Sequence, residues 1–161
     1  MPRHERKAYR PRPPFKIVEG VGTPPFKRLD VFARWALLQF YEKFNGRNRS
    51  NLSLTYGEVQ SIMSAATFVR SIWQLIGFGF LDVRRWGRLE RNASLYGLSD
   101  RWRRFCEPTA EKELDKIAAT LQEIENLKRQ KWPKERKSEK RERVAALRHS
   151  LFTVKEPLIY G

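Results

Sequence analysis

The stretch from Ser64 to Ser99, SAATFVRSIWQLIGFGFLDVRRWGRLERNASLYGLS, constrains the fold more than any other part of the chain, because its hydrophobic period changes halfway. From Ala65 to Gly77, the apolar residues Phe68, Val69, Ile72, Trp73, Leu75 and Ile76 recur at helical spacing. Ser64 is the expected N-cap, and Gly77 and Gly79 end the helix. Phe80–Trp86 and Ala93–Ser99 are then rich in β-branched and aromatic residues and bracket a polar turn around Gly87, which predicts a hairpin. A chain built around this stretch is of the α+β class, with a hairpin directly behind an amphipathic helix.

The elements before it are largely helical. In LDVFARWALLQFYEKFNG, the residues Leu29, Phe32, Ala33, Ala36, Leu37, Phe40 and Phe44 form a broad apolar stripe. Asp30 is its expected N-cap and Asn45-Gly46 its left-handed stop. RNRSN reads as a polar loop and Leu52–Leu54 as a short strand. Thr55, with Glu58 three residues on, makes a capping box that predicts a helix from Tyr56 to about Met63, with Val59, Ile62 and Met63 on its apolar side. Only a tight turn separates this helix from the next, the helix-turn-helix arrangement. On the second helix, Ala66, Thr67, Arg70, Ser71 and Gln74 are left on the face away from the core.

The flanks differ in kind. Residues 1–26 hold Pro2, Pro11, Pro13, Pro14, Pro24 and Pro25 among arginines, which predicts an extended or disordered basic arm. Residues 27–105 form the expected domain, and 106–161 a charged helical extension. Within that extension Ala110, Leu114, Ile117, Leu121 and Ile124 repeat as a two-heptad seam, too short for a stand-alone coiled coil. The seam either packs on the domain or pairs two chains into a homodimer through the 110–127 helix. Pro133 ends it, and KERKSEKRERVAALRHS continues as a solvated, helix-favouring segment.

Charge narrows the choice of partner. The chain carries 33 Lys and Arg against 18 Asp and Glu, a net +15. Such an excess costs self-repulsion and points to an anionic partner, nucleic acid first. By segment the balance is +6 over residues 1–28, +1 over 29–64, +5 over 65–105 and +3 over 106–161. The excess therefore lies in the arm and the helix–hairpin stretch. One cysteine, Cys106, excludes an internal disulfide, and His4 and His149 have no metal-ligand spacing. No uncharged run reaches the length of a membrane span, and MPRHERKAYRPRPPF has no apolar core of a secretory signal. A phosphate-binding glycine loop and a nucleophile–base pair are also absent, and Asp30, Asp82, Asp100 and Asp115 are scattered. The expectation is a cytoplasmic, nucleoid-associated binding protein with no cofactor, no small-molecule ligand and no enzymatic activity.

The order helix, short strand, helix, turn, helix, hairpin is that of a winged helix. LT..E over Leu54–Glu58, S..TF.R.I..L...GFL over Ser64–Leu81 and the following DVRRWGRLERNASLYGLS carry the resemblance. In them the chain resembles bacterial winged helix-turn-helix DNA-binding proteins of phage, plasmid and integrated-element replication and regulation. FNGRNR is similar to the loop after their first helix, and LYGLSDRWRRF to the end of their second wing strand. The resemblance covers residues 24–105, about half the chain, and departs from the pattern in SIMSAAT, where a turn glycine is common. It implies a three-helix domain with a wing that binds double-stranded DNA sequence-selectively, as a transcriptional regulator or replication accessory factor.

On that reading Ser64, Ala65, Ala66, Thr67, Arg70, Ser71 and Gln74 form the recognition-helix surface. Small residues at its start allow close approach to a major groove, Arg70 can fork onto guanine or phosphate, and Gln74 can pair with adenine. Arg84, Arg85, Arg88, Arg91 and Asn92 belong to the wing, with Arg84 and Arg85 on opposite strand faces so that at most one meets DNA. Arg47, Arg49, Arg101, Arg103 and Arg104 are candidate backbone contacts. Trp73 and Phe68 are expected in the core, while Trp86 packs under the wing or makes an exposed contact. Two other functions stay open: RNA binding through the arm and RWRRF, where Trp102 and Phe105 either meet nucleic acid or dock the next helix on the domain, and protein interaction through the seam.

Overall fold

A computed structural model of the chain describes residues 17–87 and 93–152. The order of elements is α1 (Pro24–Arg28), α2 (Val31–Lys43), α3 (Tyr56–Val59), α4 (Ala65–Gly77), β1 (Leu81–Arg85), β2 (Leu95–Leu98), α5 (Glu111–Arg129) and α6 (Lys137–Phe152), with short 3-10 turns around the last two. The fold is α+β and mostly helical, with one two-stranded antiparallel sheet.

The helix starts follow from their caps. Asp30 Oδ1 accepts from the Ala33 amide at 2.7 Å, which satisfies one of the unpaired donors at the start of α2. Ser64 Oγ does the same for Thr67 at 3.2 Å. At α3 the Thr55 amide donates to Glu58 Oε2 at 2.8 Å, as the capping box requires. That helix ends at Val59, however, four residues earlier than the sequence pattern suggests, and Ile62 lies exposed at 49 %. After α2 the chain turns through Gly46, whose φ of +87° places it in the left-handed region.

Residues 24–26 depart from the expected extended arm, since they open α1 with prolines at its first turn, where a missing amide costs nothing. Ahead of it, Gly20 sits so close to Phe80 that a Cβ would stand 2.8 Å from the ring. Residues 1–16 lie outside the described residues.

One hydrophobic core runs from Leu29 to Leu151. Ala33, Ala36, Leu37 and Phe40 of α2 face Phe68, Ile72, Leu75 and Ile76 of α4, all buried. Phe32 and Val69, which periodicity assigns to this core, are partly exposed instead at 37 % and 40 %. The strands pair Leu81 with Leu98, Asp82 with Gly97 and Val83 with Tyr96, and the register slips between Val83 and Arg85. Leu52 adds a single antiparallel bridge to Tyr96, so the expected third strand is one residue long.

The 110–127 seam is filled within the chain. Ala110, Leu114, Ile117 and Ile124 are all buried in the common core, and Leu121 packs against it. A homodimer through that face would have to open the core. The segment read as solvated is α6, which returns antiparallel along α5 and buries Leu151 at 2 % exposure. Lys140 Nζ donates to the carbonyls of Lys128 and Gln130 at 3.0 and 2.8 Å, placing a cation at the C-terminus of α5. Among the described residues, no helix is long and apolar enough to cross a membrane.

Candidate nucleic-acid interface

The surface that sequence assigns to α4 divides at its second turn. Ser64, Ala65 and Ala66 are exposed and Thr67 is half-buried. Nothing larger than a methyl or hydroxyl projects from this first turn, so another surface can approach the backbone closely.

Beyond it the assignment fails in a consistent way. Ser71 is 0 % exposed, so it belongs to the core side and not to a contact surface. Gln74 is committed inward: its Oε1 accepts from the Asp30 amide at 3.0 Å and its Nε2 donates to Asp30 Oδ2 at 2.8 Å. Arg70 is half-buried and ion-pairs with the same Asp30 Oδ2 at 3.3 Å. Neither Gln74 nor Arg70 is therefore poised to read a base.

The cause is a second layer of structure. Arg70 and Gln74 line a crevice whose far wall is Ala118, Gln122 and Glu125 of α5. Val69 and Trp73 line a groove whose far wall is Arg141, Val144 and Arg148 of α6. Gly77 lies so near both helices that a Cβ would meet Ile117 at 3.2 Å and Leu151 at 3.6 Å. The α5–α6 hairpin thus straddles the outward face of α4 and leaves open its first turn and, at the edge of the α6 groove, Val69.

At the wing, Arg84 and Arg85 are both exposed. Regular alternation would oppose them, but the register irregularity between Val83 and Arg85 breaks the alternation. Arg84 lies across Gly97, where a Cβ would stand 2.9 Å from its Nε and 3.4 Å from Ser50 Cα. It therefore shares a face with the 45–51 loop, which carries exposed Arg47. Arg47, Arg84 and Arg85 form no ion pair among the described residues. Arg88, Arg91 and Asn92 lie outside the described residues. Trp86 stacks on Trp73 of α4 at 5.5 Å between centroids and is 46 % exposed.

The other candidate backbone contacts are mainly structural. Arg49 donates to the Leu98 carbonyl at 3.2 Å and to Asp100 at 2.8 Å, which ties the loop to β2. Arg101 bonds Asp82 at 2.8 Å and the carbonyls of Ile76 and Leu81 at 3.0 and 2.9 Å, locking α4 to the sheet. Arg103 pairs with Glu19 at 3.1 Å and lies over Trp102, and Arg104 lies over Phe105. Trp102 and Phe105 are buried, so RWRRF offers no stacking platform.

No family model, no curated protein and no solved structure matches this chain. Its function must be argued from its own residues. Among the described residues, no group of three or more His, Cys, Asp or Glu side chains is arranged to hold a metal. Sequence reasoning missed the role of Asp30 beyond its cap and the wall that α6 builds beside α4. A signal for the second was present: Val144, Leu147 and Leu151 recur at spacings of three and four within the charged tail.

Proposed function

We propose that this chain binds double-stranded DNA as a small winged-helix protein, acting as a transcriptional regulator or replication accessory factor in the bacterial cytoplasm. The order of α2, the Leu52 bridge, α3, α4 and the β1–β2 hairpin supports the winged-helix reading. The observation that carries the function is the open first turn of α4, Ser64–Ala66, on a chain of net charge +15 whose hairpin exposes Arg84 and Arg85.

Duplex DNA suits this arrangement. A helix N-terminus with small side chains can approach a phosphate or a groove edge closely, and its free amides and dipole favour an anion. Arginines on an adjoining hairpin fork onto the neighbouring backbone. Because Arg70 and Gln74 are engaged with Asp30, base reading would rest on Ala65, Ala66 and Thr67, where methyl groups can meet a thymine methyl. The expected mode is therefore phosphate-dominated, with modest sequence selectivity.

The test is binding of the purified chain to a pool of duplexes across a salt series. Affinity should fall steeply with salt, and Arg84→Ala with Arg85→Ala should flatten the slope by about two ions. An unchanged slope in the double variant would remove the hairpin from the interface.

A further inference from the structure

The groove between α4, the end of β1 and α6 has a volume of about 930 Å³ and an unusual lining. Three of the chain's exposed large apolar side chains, Val69, Trp86 and Phe152, face the same space. Beneath them, Trp73 holds the aromatic group together. Trp86 stacks on it with rings inclined by 30°, and Phe152 meets it edge-on at 5.6 Å and 73°. The Arg148 guanidinium lies 4.6 Å from the centre of the Trp73 ring. Arg141 adds a second cation to the wall, against Glu142 as the acid, and His149 adds an imidazole.

We propose that this groove binds unpaired nucleotides of DNA, with a base stacking on Trp86 and the strand's phosphates on the α6 wall. Trp86 is nearly half exposed although its ring already stacks on Trp73, so the stack is preformed and can be extended by a flat partner. Every nucleobase has such a face, and aromatic platforms beside cations are how proteins hold single strands without reading sequence. The bases of a closed duplex stack on one another and cannot supply one without being unpaired. The charge excess on the α6 wall selects a polyanion over an apolar peptide, which would cover Trp86 and leave Arg141 in place without a counter-charge.

Position adds a second argument. Val69 lies on α4 one turn beyond Ala65 and Ala66, so the groove opens beside the turn proposed to meet duplex DNA. The inference rests on that reading in taking DNA as partner, and it adds that the chain prefers a junction between paired and unpaired strands.

The experiment uses the full chain and three labelled probes: an oligothymidine single strand, a blunt duplex, and the same duplex with an unpaired tail. Wild type should bind the tailed duplex more tightly than the blunt one. Trp86→Ala should weaken oligothymidine binding about tenfold and abolish the preference for the tail, with blunt-duplex affinity unchanged. Trp86→Phe, which keeps an aromatic face, should stay within about threefold of wild type and guards against a folding artefact. Arg141→Ala should lower the salt dependence of oligothymidine binding by about one ion. The proposal is overturned if wild type does not bind oligothymidine at low salt, if Trp86→Ala leaves that binding unchanged, or if an acidic peptide occupies the groove while oligothymidine does not. Loss of blunt-duplex binding alone, with Trp86-dependent oligothymidine binding retained, would sink the duplex reading and leave the groove standing. Blunt-duplex binding sensitive to Arg84 and Arg85, without oligothymidine binding, would do the reverse.

Discussion

Gln74 and Asp30 bond each other twice, side-chain carbonyl to backbone amide at 3.0 Å and side-chain amide to carboxylate at 2.8 Å. The same carboxylate caps α2 through Ala33 and pairs with Arg70. One aspartate therefore starts the first long helix and fixes its angle to α4. A glutamine that looks on a helical wheel like a base-reading residue is a crossbrace.

This brace has a measurable worth. Gln74→Ala removes two half-buried hydrogen bonds and should cost about 1–2 kcal/mol in urea unfolding. Asp30→Ala keeps the backbone bond to Gln74 Oε1 but removes the carboxylate that accepts from Gln74 Nε2, caps α2 and pairs with Arg70, and should cost about 2–3 kcal/mol. In a duplex selection, Gln74→Ala should return the same preferred sites as wild type. A changed base preference would restore Gln74 to the interface.

Burial of the seam leads to a second expectation. Ile117 is 4 % exposed and touches the space above Gly77 together with Leu151. Ile117→Ala should therefore lower stability by about 2–4 kcal/mol, the cost of a cavity in a packed core. Its mass by light scattering should equal that of wild type at the same concentration. Were Ile117 a dimer contact, the substitution would change the mass and spare the stability of the monomer.

Much of the local structure was legible before the fold was known. Asp30, Ser64 and the Thr55–Glu58 box act within four residues of themselves, so their signals survive without tertiary context. The fate of the outward face of α4 was not legible. Helical period separates one side from another, but it cannot say that α5 and α6, more than thirty residues later in the chain, return to cover what the first core leaves open. Arg70 and Gln74 turn to Asp30 inside the crevice that α5 closes, and Ser71 falls on the buried side of α4. The slip between Val83 and Arg85 is invisible for a different reason: a bulge shifts the alternation from which strand faces are inferred.

A pH prediction follows from Glu58. Its carboxyl lies below the usual glutamate value, chiefly because Lys43 Nζ donates to it, with Thr55 adding backbone and side-chain bonds. A depressed carboxylate stabilises the fold above its unfolded value, about 4.3, and the contribution is lost as pH falls through the folded value. The side chain is 43 % exposed, so screening keeps the pair near 0.5 kcal/mol or about that size. Glu58→Gln should be less stable than wild type by about 0.5 kcal/mol near neutral pH, and the gap should close in acid. Thermal melts of both proteins across pH decide it, and a constant gap would count against the ion pair.

The sharpest separation of stability from binding lies at Ala66. Its side chain is exposed on the first turn of α4. A glutamate there has helix propensity near that of alanine, and its charge favours the N-terminal end of the helix dipole. Ala66→Glu should therefore melt within about 0.5 kcal/mol of wild type. Against a duplex, the same carboxylate would stand at the point of closest approach and repel phosphate, and affinity should drop at least about tenfold at moderate salt. Ala66→Lys supplies the opposite sign at the same site and should bind at least as tightly as wild type, with a steeper salt dependence. If Ala66→Glu binds duplex like the parent chain, the first turn of α4 does not face DNA, and the contact must be sought on the face that Arg84 shares with the 45–51 loop.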